Sequence, residues 1–218
     1  AVAPGPAPRS TPGFNILGRD HKKIEAMDGM TGVLQYADDI TLPRMLHCKI
    51  LRSPHAHAKV GKIDISRALA MDGVEAIVTG DDMPTRYCVI PWTRDEQALA
   101  QDKARYIGDA VAAVAAIDEE TANAALDLID IEWEVLPTVV DPHEALENHT
   151  RIHDYKGRGN ISKHVALDFG EVDQAMADAD LVVDASYTFH GTTHAPIEPH
   201  CAIAHVDAHG VLTLWSAT

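Results

Sequence analysis

The chain has 218 residues and a formal net charge of −15, from 33 acidic residues against 18 lysines and arginines. Nucleic-acid binding requires a basic surface, so this charge argues against a nucleic-acid partner. The longest apolar run, at 110–117, is far too short to span a bilayer, so no membrane span is predicted.

The chain contains three cysteines, Cys48, Cys88 and Cys201, which lie far apart. Without a C-x-x-C pair, this chain is not expected to carry an iron–sulfur cluster or a zinc ribbon of its own. A sparse, odd number of cysteines fits a reducing compartment. The N-terminal residues also lack the apolar core of a signal peptide, and together these features predict a cytoplasmic protein.

The first predicted elements follow a segment rich in proline and glycine at 1–20, which we interpret as an extended arm. A folded region begins near His21. Ser66 is the predicted N-cap of a short helix at 67–71, and Gly80 opens a turn. Clusters of apolar and β-branched residues predict strands at 46–51, 59–65 and 74–78.

The unbroken apolar run at 111–117 is typical of a strand that is covered on both faces. Asp118 follows it and can cap a helix that reaches about residue 128. Alternation of apolar and acidic residues at 131–135 predicts a half-exposed strand. Strand, helix and strand in close succession predict a βαβ-like crossover.

A polar stretch at 137–162 is predicted to be a connector, with a domain boundary near 141–164. Beyond it the pattern predicts a short helix from Gly170 and a hairpin turn at 207–210. The fold class is mixed α/β (α+β). Strands are predicted at 181–189, 201–206 and 211–215.

Two histidines, His55 and His57, lie at i and i+2, where the side chains of a strand point to one face. No third ligand stands at a matching spacing, so a structural or surface pair is favoured over a metal site. The turn before the buried strand has a single glycine, Gly108, and an acid after it. Phosphate binding is therefore disfavoured, and Gly108 is expected to permit a tight backbone turn.

A third candidate cluster consists of His194, Glu198 and His200. Pro196 and Pro199 forbid a regular helix there, which excludes the zinc-protease geometry. Glu198 could act as a general acid or base, or it could pair with a cation or backbone amides and hold an irregular crossing. The residues alone give no reason to prefer catalysis.

Taken as a set, several strings identify a family. They are VLQYADDI (33–40), LPRMLH (42–47), ILRSPHAHA (50–58), GVEAIVTG (73–80), DKARYIGDAVAAVA (102–115), VLP (135–137), HAPIEPHCAIA (194–204) and LTLWSAT (212–218). The chain resembles the N-terminal part of the molybdopterin-binding large subunit of the xanthine oxidase family. Within it, the chain is similar to bacterial proteins of the 4-hydroxybenzoyl-CoA reductase and xanthine dehydrogenase type. Ala110 departs from the proline usual in that family.

The resemblance implies an architecture: an α/β hammerhead domain at 21–140, the connector at 141–164, and from 165–218 the beginning of a molybdenum-cofactor-binding domain. It also implies an oxidoreductase that hydroxylates an aldehyde or an N-heterocycle with oxygen from water, or reductively dehydroxylates an aromatic acyl-CoA. The implied cofactor is molybdopterin with molybdenum, in the cytosine dinucleotide form usual among bacterial relatives.

The implied partners are a companion chain with the remaining molybdenum domains, an iron–sulfur subunit, an FAD subunit and a small-molecule substrate. The family's glycine-rich cofactor loop, metal-proximal glutamine and catalytic glutamate are expected beyond residue 218. No catalytic residue and no metal ligand is therefore assigned in this chain. Glu198 and His200 are expected to orient loops on the cofactor side without touching the metal. The alternative function is a non-catalytic assembly or binding module with a hammerhead fold.

Overall fold

The computed structural model describes residues 16–18, 20–90, 93–153, 159–167 and 169–217. They form two compact units, one at 43–185 and one that joins the described residues before 43 to those from 186 onward. Most of the predicted N-terminal arm lies outside the described residues. Within the described ranges, no helix has the length and apolar content needed to cross a bilayer.

The described strands pair only in antiparallel fashion. The 43–185 unit contains one sheet with the order β1-β7-β3, a second with the order β6-β2-β8, and the short ribbon β4-β5. The ribbon β10-β9 belongs to the other unit. The strands are β1 (His47–Arg52), β2 (Ala58–Asp64), β3 (Val74–Thr79), β4 (Arg86–Tyr87), β5 (Glu96–Gln97), β6 (Lys103–Ala104), β7 (Ala110–Ala116), β8 (Asp130–Val135), β9 (Ala202–Val206) and β10 (Leu212–Ser216).

Five short α-helices and one 3-10 turn complete the described elements. The helices are α1 (Ala26–Thr31), α2 (Ser66–Leu69), α3 (Glu119–Leu126), α4 (Pro142–Glu147) and α5 (Val172–Ala177), and the 3-10 turn is Ala37–Asp39. The predicted helices at 119 and 172 are confirmed, as are the strands that became β1, β2, β3 and β7 to β10. The mixed α/β class is confirmed as well.

The core of the 43–185 unit is built from small side chains. Ala112 and Val114 of β7, Ala68 of α2 and Ala125 of α3 are fully buried in one cluster, which Ile129 completes. Alanine adds little volume beyond the backbone, so both helices can approach the sheet closely. Strand β7 is the central strand of its sheet, and every one of its residues is buried or half-buried, as predicted for a strand covered on both faces.

Helix α3 is anchored at its N-terminus by two polar contacts. The Asp118 carboxylate accepts a hydrogen bond from the Thr121 amide at 2.7 Å, which confirms the predicted cap. That hydrogen bond lowers the pKa of Asp118. Lys49 Nζ on β1 lies 2.7 Å from Glu119 Oε2, which lowers the pKa of Glu119 and ties the helix to the sheet edge.

Three sequence-based predictions are wrong. The β7–α3–β8 succession is not a crossover between parallel strands, because β7 and β8 belong to different sheets. Ser66 is the first residue of α2 and not its N-cap, since Asp64 Oδ1 accepts from both its amide and its hydroxyl. Residues 181–189 form no strand; their apolar side chains are exposed and no described strand pairs with them.

Gly80 lies at the end of β3, where two backbone segments meet. A Cβ built on it would stand 2.6 Å from Gln101 Cα and 2.7 Å from the Ala100 oxygen, closer than real Cβ atoms come. We expect Gly80→Ala to reduce the opening free energy of the β7 amides by roughly 1–3 kcal/mol, because the 100–101 backbone must shift. Native-state hydrogen exchange measures this quantity.

Gly191→Ala provides the matched control, because a Cβ at Gly191 meets nothing within 4 Å. We expect that control to change the exchange of the β7 amides by less than about 0.5 kcal/mol. Unchanged exchange in Gly80→Ala would show that the close approach at 100–101 is not a constraint on this sheet.

Candidate functional site

The two residues predicted to lie near a cofactor, Glu198 and His200, belong to an irregular segment that leads into β9. Pro196 and Pro199 lie in this segment and no helix forms, as the prolines predict. Ala195 has a positive φ of 42°. Glu198 is half-buried and His200 is exposed, and within the described part of the chain neither makes a hydrogen bond or an ion pair.

The surroundings of Glu198 are acidic. Desolvation raises the pKa of the Cys201 thiol, and the charges of Asp38 and Glu198 raise it further. The 3-10 turn that contains Asp38 contacts β9, so these carboxylates share one side of the unit. Two neighbouring carboxylates disfavour direct contact of a phosphate group with this side of the segment.

The two histidines of the SPHAHA string have structural contacts. His57 is 4% exposed, and its Nδ1 lies 2.7 Å from the Pro137 oxygen. The His55 ring meets the Trp133 ring edge-on, with centroids 5.4 Å apart. Among the described residues, no three His, Cys, Asp or Glu side chains lie close enough together to hold a metal ion.

Two of the connections between the sheets are loops, 53–57 between β1 and β2 and 105–109 between β6 and β7. We call these the crossing loops. The Ser53 amide donates to the Asp109 oxygen and the Gly108 amide donates to the Ser53 oxygen, both at 2.8 Å. Arg52 Nη1 donates to the Gly108 oxygen at 2.9 Å. Gly108 has a φ of 92°, so the tight turn predicted there is confirmed.

The second crossing loop is a compact turn that fixes Arg105. The Asp109 carboxylate accepts from the Arg105 amide at 2.9 Å, and the Asp109 amide donates to the Tyr106 oxygen at 3.2 Å. Desolvation of the phenol, together with the Asp109 charge, raises the pKa of Tyr106. The acid after the glycine therefore closes this turn on itself, and the amides of Arg105, Gly108 and Asp109 are used within the protein.

Two neighbouring cavities lie beside the crossing loops. The first, of about 410 Å³, is lined by Ala56, His57, Arg105, Tyr106, Ile107, Thr138, Val139, Val140, Ala145, Thr150, Ile152 and Asn160. The second, of about 630 Å³, shares four of those residues and also contains Asp95, Glu96, Gln97 and His153. Both belong to the 43–185 unit, so neither contains Glu198 or His200.

The connector is held against these cavities by Asn160. Its side-chain Nδ2 donates to three backbone oxygens, those of Ala145 at 2.8 Å, Asn148 at 3.0 Å and Thr150 at 3.1 Å. Two N–H groups serve three acceptors, so at least one hydrogen is shared. The Asn160 amide thereby fastens the end of α4, a helix that the sequence pattern did not predict.

Sequence reasoning also missed Arg105 and Asn160 as organising residues. The single glycine predicts a turn at 106–109, next to Arg105, but the sequence pattern does not predict a cavity there. Asn160 stands in a polar stretch where asparagine is ordinary. No local signal separates it from its neighbours, because its three acceptors lie 10–15 residues earlier in the chain.

Two models of domain families match the chain in succession. Residues 31–137 match the model described as aldehyde oxidase and xanthine dehydrogenase, a/b hammerhead domain. Residues 152–218 match the model described as molybdopterin cofactor-binding domain.

Among the curated relatives, the nicotinate dehydrogenase large molybdopterin subunit of Eubacterium barkeri is 36% identical over 208 residues, covering 94% of this chain and 48% of its own length. The xanthine dehydrogenase molybdenum-binding subunit of Escherichia coli O157:H7 is 34% identical over 211 residues, covering 90% of this chain and 27% of its own length.

The solved structure of quinoline 2-oxidoreductase from Pseudomonas putida 86 superposes with a TM-score of 0.73 at 29% identity. The match covers 89% of this chain and 26% of the quinoline 2-oxidoreductase chain. The present chain therefore spans between a quarter and about half of the relatives it matches.

We expect Asn160→Asp to loosen the connector, because a carboxylate cannot donate and would face three carbonyl oxygens. Limited proteolysis at 148–153 should become roughly tenfold faster or more, since at least one donated hydrogen bond is replaced by repulsion. Asn160→Ala should accelerate cleavage less than the Asp variant. Asn123→Asp makes the same charge change on the exposed face of α3 and should leave the cleavage rate unchanged. Equal rates for wild type and Asn160→Asp would contradict the role assigned to Asn160.

Proposed function

The chain belongs to the aldehyde oxidase and xanthine dehydrogenase family, and we propose that it is part of the molybdopterin-binding subunit of a molybdenum hydroxylase. The proposed reaction is hydroxylation of an aldehyde or an N-heterocycle with oxygen from water. Reductive dehydroxylation of an aromatic acyl-CoA is the other branch of this proposal. The reaction is attributed to the assembled enzyme, because this chain spans only a part of its relatives.

The observation that carries the proposal is the order of the two matched domains. A hammerhead domain alone would be compatible with a non-catalytic binding module. Here a molybdopterin cofactor-binding domain follows it on the same chain after a short connector. We propose the division 1–20 arm, 21–140 hammerhead, 141–164 connector and 165–218 beginning of the cofactor-binding domain.

For the cofactor, we propose molybdopterin with molybdenum in the cytosine dinucleotide form, which would supply the oxygen-transfer chemistry. Glu198 and His200 would orient loops on the cofactor side and would touch neither the metal nor the substrate. The carboxylates of Glu198 and Asp38 support this indirect role, because their charges disfavour phosphate contact. Most cofactor contacts would then come from segments outside this chain.

For the partners, we propose a companion segment with the remaining molybdenum domains, an iron–sulfur subunit and an FAD subunit, in the cytoplasm. This division of cofactors is compatible with the sequence, because Cys48, Cys88 and Cys201 lack the spacing of cluster ligands. A small-molecule substrate is proposed, with no nucleic acid.

A companion segment is also supported by exposed apolar side chains in the cofactor-binding part. Tyr187 is 91% exposed and Phe189 is 87% exposed, and Leu181 and Val183 before them are exposed as well. Burial of a large aromatic side chain in a core or an interface is favourable, and a side chain that stays in water does not contribute this free energy. An exposed apolar stretch of this kind is typical of a surface that another protein segment covers.

The first test is elemental analysis of the complex purified from its source through a tag on this chain. We expect molybdenum and iron, each near stoichiometric, and turnover that requires the companion segment. The control is the tagged chain isolated alone, which we expect to be metal-free and inactive. An intact complex without molybdenum and iron would instead support a non-catalytic binding module.

The second test concerns the exposed aromatic residues. We expect the isolated chain to bind a hydrophobic dye more strongly than the complex does, and the double variant Tyr187→Ser/Phe189→Ser to bind less dye. Losing two buried aromatic rings should also weaken association with the companion by roughly 100-fold or more. The double variant Lys62→Ser/Glu75→Ser, at exposed strand positions, should match wild type in both measurements. Undiminished association of the aromatic variant would exclude these residues from the interface.

A further inference from the structure

We propose that strand β10 is a docking edge, where a β-strand of the companion segment pairs with the β10 backbone and extends the β9–β10 hairpin. This inference rests on the companion segment proposed above and adds the place and the kind of contact. It is supported by the apolar face of the hairpin, by the direction of the β10 backbone groups, and by the absence of charge and proline from this strand.

One face of the β9–β10 hairpin is apolar and open to solvent. Side chains alternate between the two faces of a strand, and the register places 204 opposite 214 and 206 opposite 212. Leu212 and Leu214 are each 62% exposed and Val206 is 61% exposed. The exposed side chains of this face are Ala202, Ala204, Val206, Leu212 and Leu214. A hairpin of two strands is marginally stable alone, so an apolar face of this kind favours a further strand and its covering layer.

The backbone of β10 presents hydrogen-bonding groups away from β9. At the turn end of the ladder, the Asp207 amide donates to the Val211 oxygen at 3.0 Å. Hydrogen-bonded and non-hydrogen-bonded pairs alternate in an antiparallel ladder, so the pairs 206–212 and 204–214 are of the second kind. The amides and carbonyls of Leu212 and Leu214 therefore point outward, to a side where no described strand pairs with them.

The outer strands of the other sheets differ from β10 in their charge. Each outer strand of the two three-stranded sheets carries a charged side chain: Lys49 on β1, Glu75 on β3, Lys103 on β6 and Glu132 on β8. Charged residues and proline are the usual means by which proteins prevent an exposed edge from pairing. Strand β10, with the sequence LTLWS, has neither. Its composition is therefore that of an edge that another strand covers.

Strand β9 also has an outer edge, but β10 is the better acceptor. The 3-10 turn Ala37–Asp39 contacts β9, so another part of this chain already lies beside that strand. Strand β9 also contains His205, which can take up a charge. Among the described strands, β10 has β9 as its one neighbour. We therefore assign the docking edge to β10.

The companion segment is favoured over a second copy of this chain. Each copy carries a net charge of −15, so two copies repel each other. The hairpin lies within the match to the molybdopterin cofactor-binding domain. The matches cover 48% and 27% of the nicotinate and xanthine dehydrogenase subunits, so about half or more of each relative lies outside them. The strand that fits β10 has apolar residues at alternate positions, because the hairpin face that it extends is apolar.

Residue-resolved hydrogen exchange of the intact purified complex tests the pairing. A strand that is paired on both sides protects every amide, whereas an edge strand protects every second one. We expect the outward amides of Leu212 and Leu214 to exchange within about tenfold of the inward amides of Thr213 and Trp215. Exchange of Leu212 and Leu214 that is more than about tenfold faster would show that β10 remains an edge, and would overturn the proposal.

Leu214→Lys tests the same edge by substitution, because lysine introduces a charge on the apolar face at a position that is exposed in this chain. We expect it to weaken association with the companion segment at least about tenfold. Thr213→Lys is the matched control, since Thr213 is an exposed neighbour on the opposite face of β10, and it should associate as wild type does. Equal association of Leu214→Lys and wild type would contradict the docking edge.

The molybdenum and iron content of the same complex separates this inference from the proposed function. Both metals together with fast exchange at Leu212 and Leu214 would refute the pairing and leave the proposed function in place. Slow exchange in a complex without the metals would support the pairing and refute the proposed function. Slow exchange in a complex that contains only copies of this chain would place a second copy on β10 and overturn the proposed occupant.

Discussion

The close approach of two helices to strand β7 is the constraint on which the rest of the 43–185 unit depends. Alanine on both sides of the contact, Ala112 on the strand and Ala125 on α3, brings the helix backbone near the sheet. A larger residue at either position would push α3 outward and strain its tie between Lys49 and Glu119. Because most of the fully buried residues are alanines, the unit relies on dense packing of many small side chains.

Strand β7 also sets the position of the crossing loops, because the second loop runs directly into it. Hydrogen bonds between Ser53, Gly108 and Asp109 join the two loops at the point where the chain changes sheets. His57 then joins the first loop to the exit of β8 through Pro137. The cavity is consequently bounded by segments that are fixed by backbone hydrogen bonds.

The sequence predicted the strands and helices with strong local patterns, such as the apolar run of β7 and the Asp118 cap. It failed where the outcome depends on partners distant in the chain. Residues 181–189 have strand-like composition, but β propensity describes a fit to a half-buried surface and supplies no neighbouring strand. The period of the apolar pattern likewise does not predict that β7 and β8 belong to different sheets. At the cavity, Arg105 is positioned by a turn and Asn160 by hydrogen bonds to backbone oxygens. Composition predicts neither arrangement.

The contact between the 3-10 turn at Ala37–Asp39 and strand β9 has a consequence for biosynthesis. These segments lie near opposite ends of the sequence, so the first leaves the ribosome long before the second exists. At roughly 5–20 residues per second, translation of the intervening chain takes on the order of 10 to 30 seconds. During that interval the 3-10 turn lacks its contact with β9, while the strands of the 43–185 unit are being synthesised. The time for which a chaperone can bind the nascent N-terminal segment would therefore be set by the number of codons between the 3-10 turn and β9.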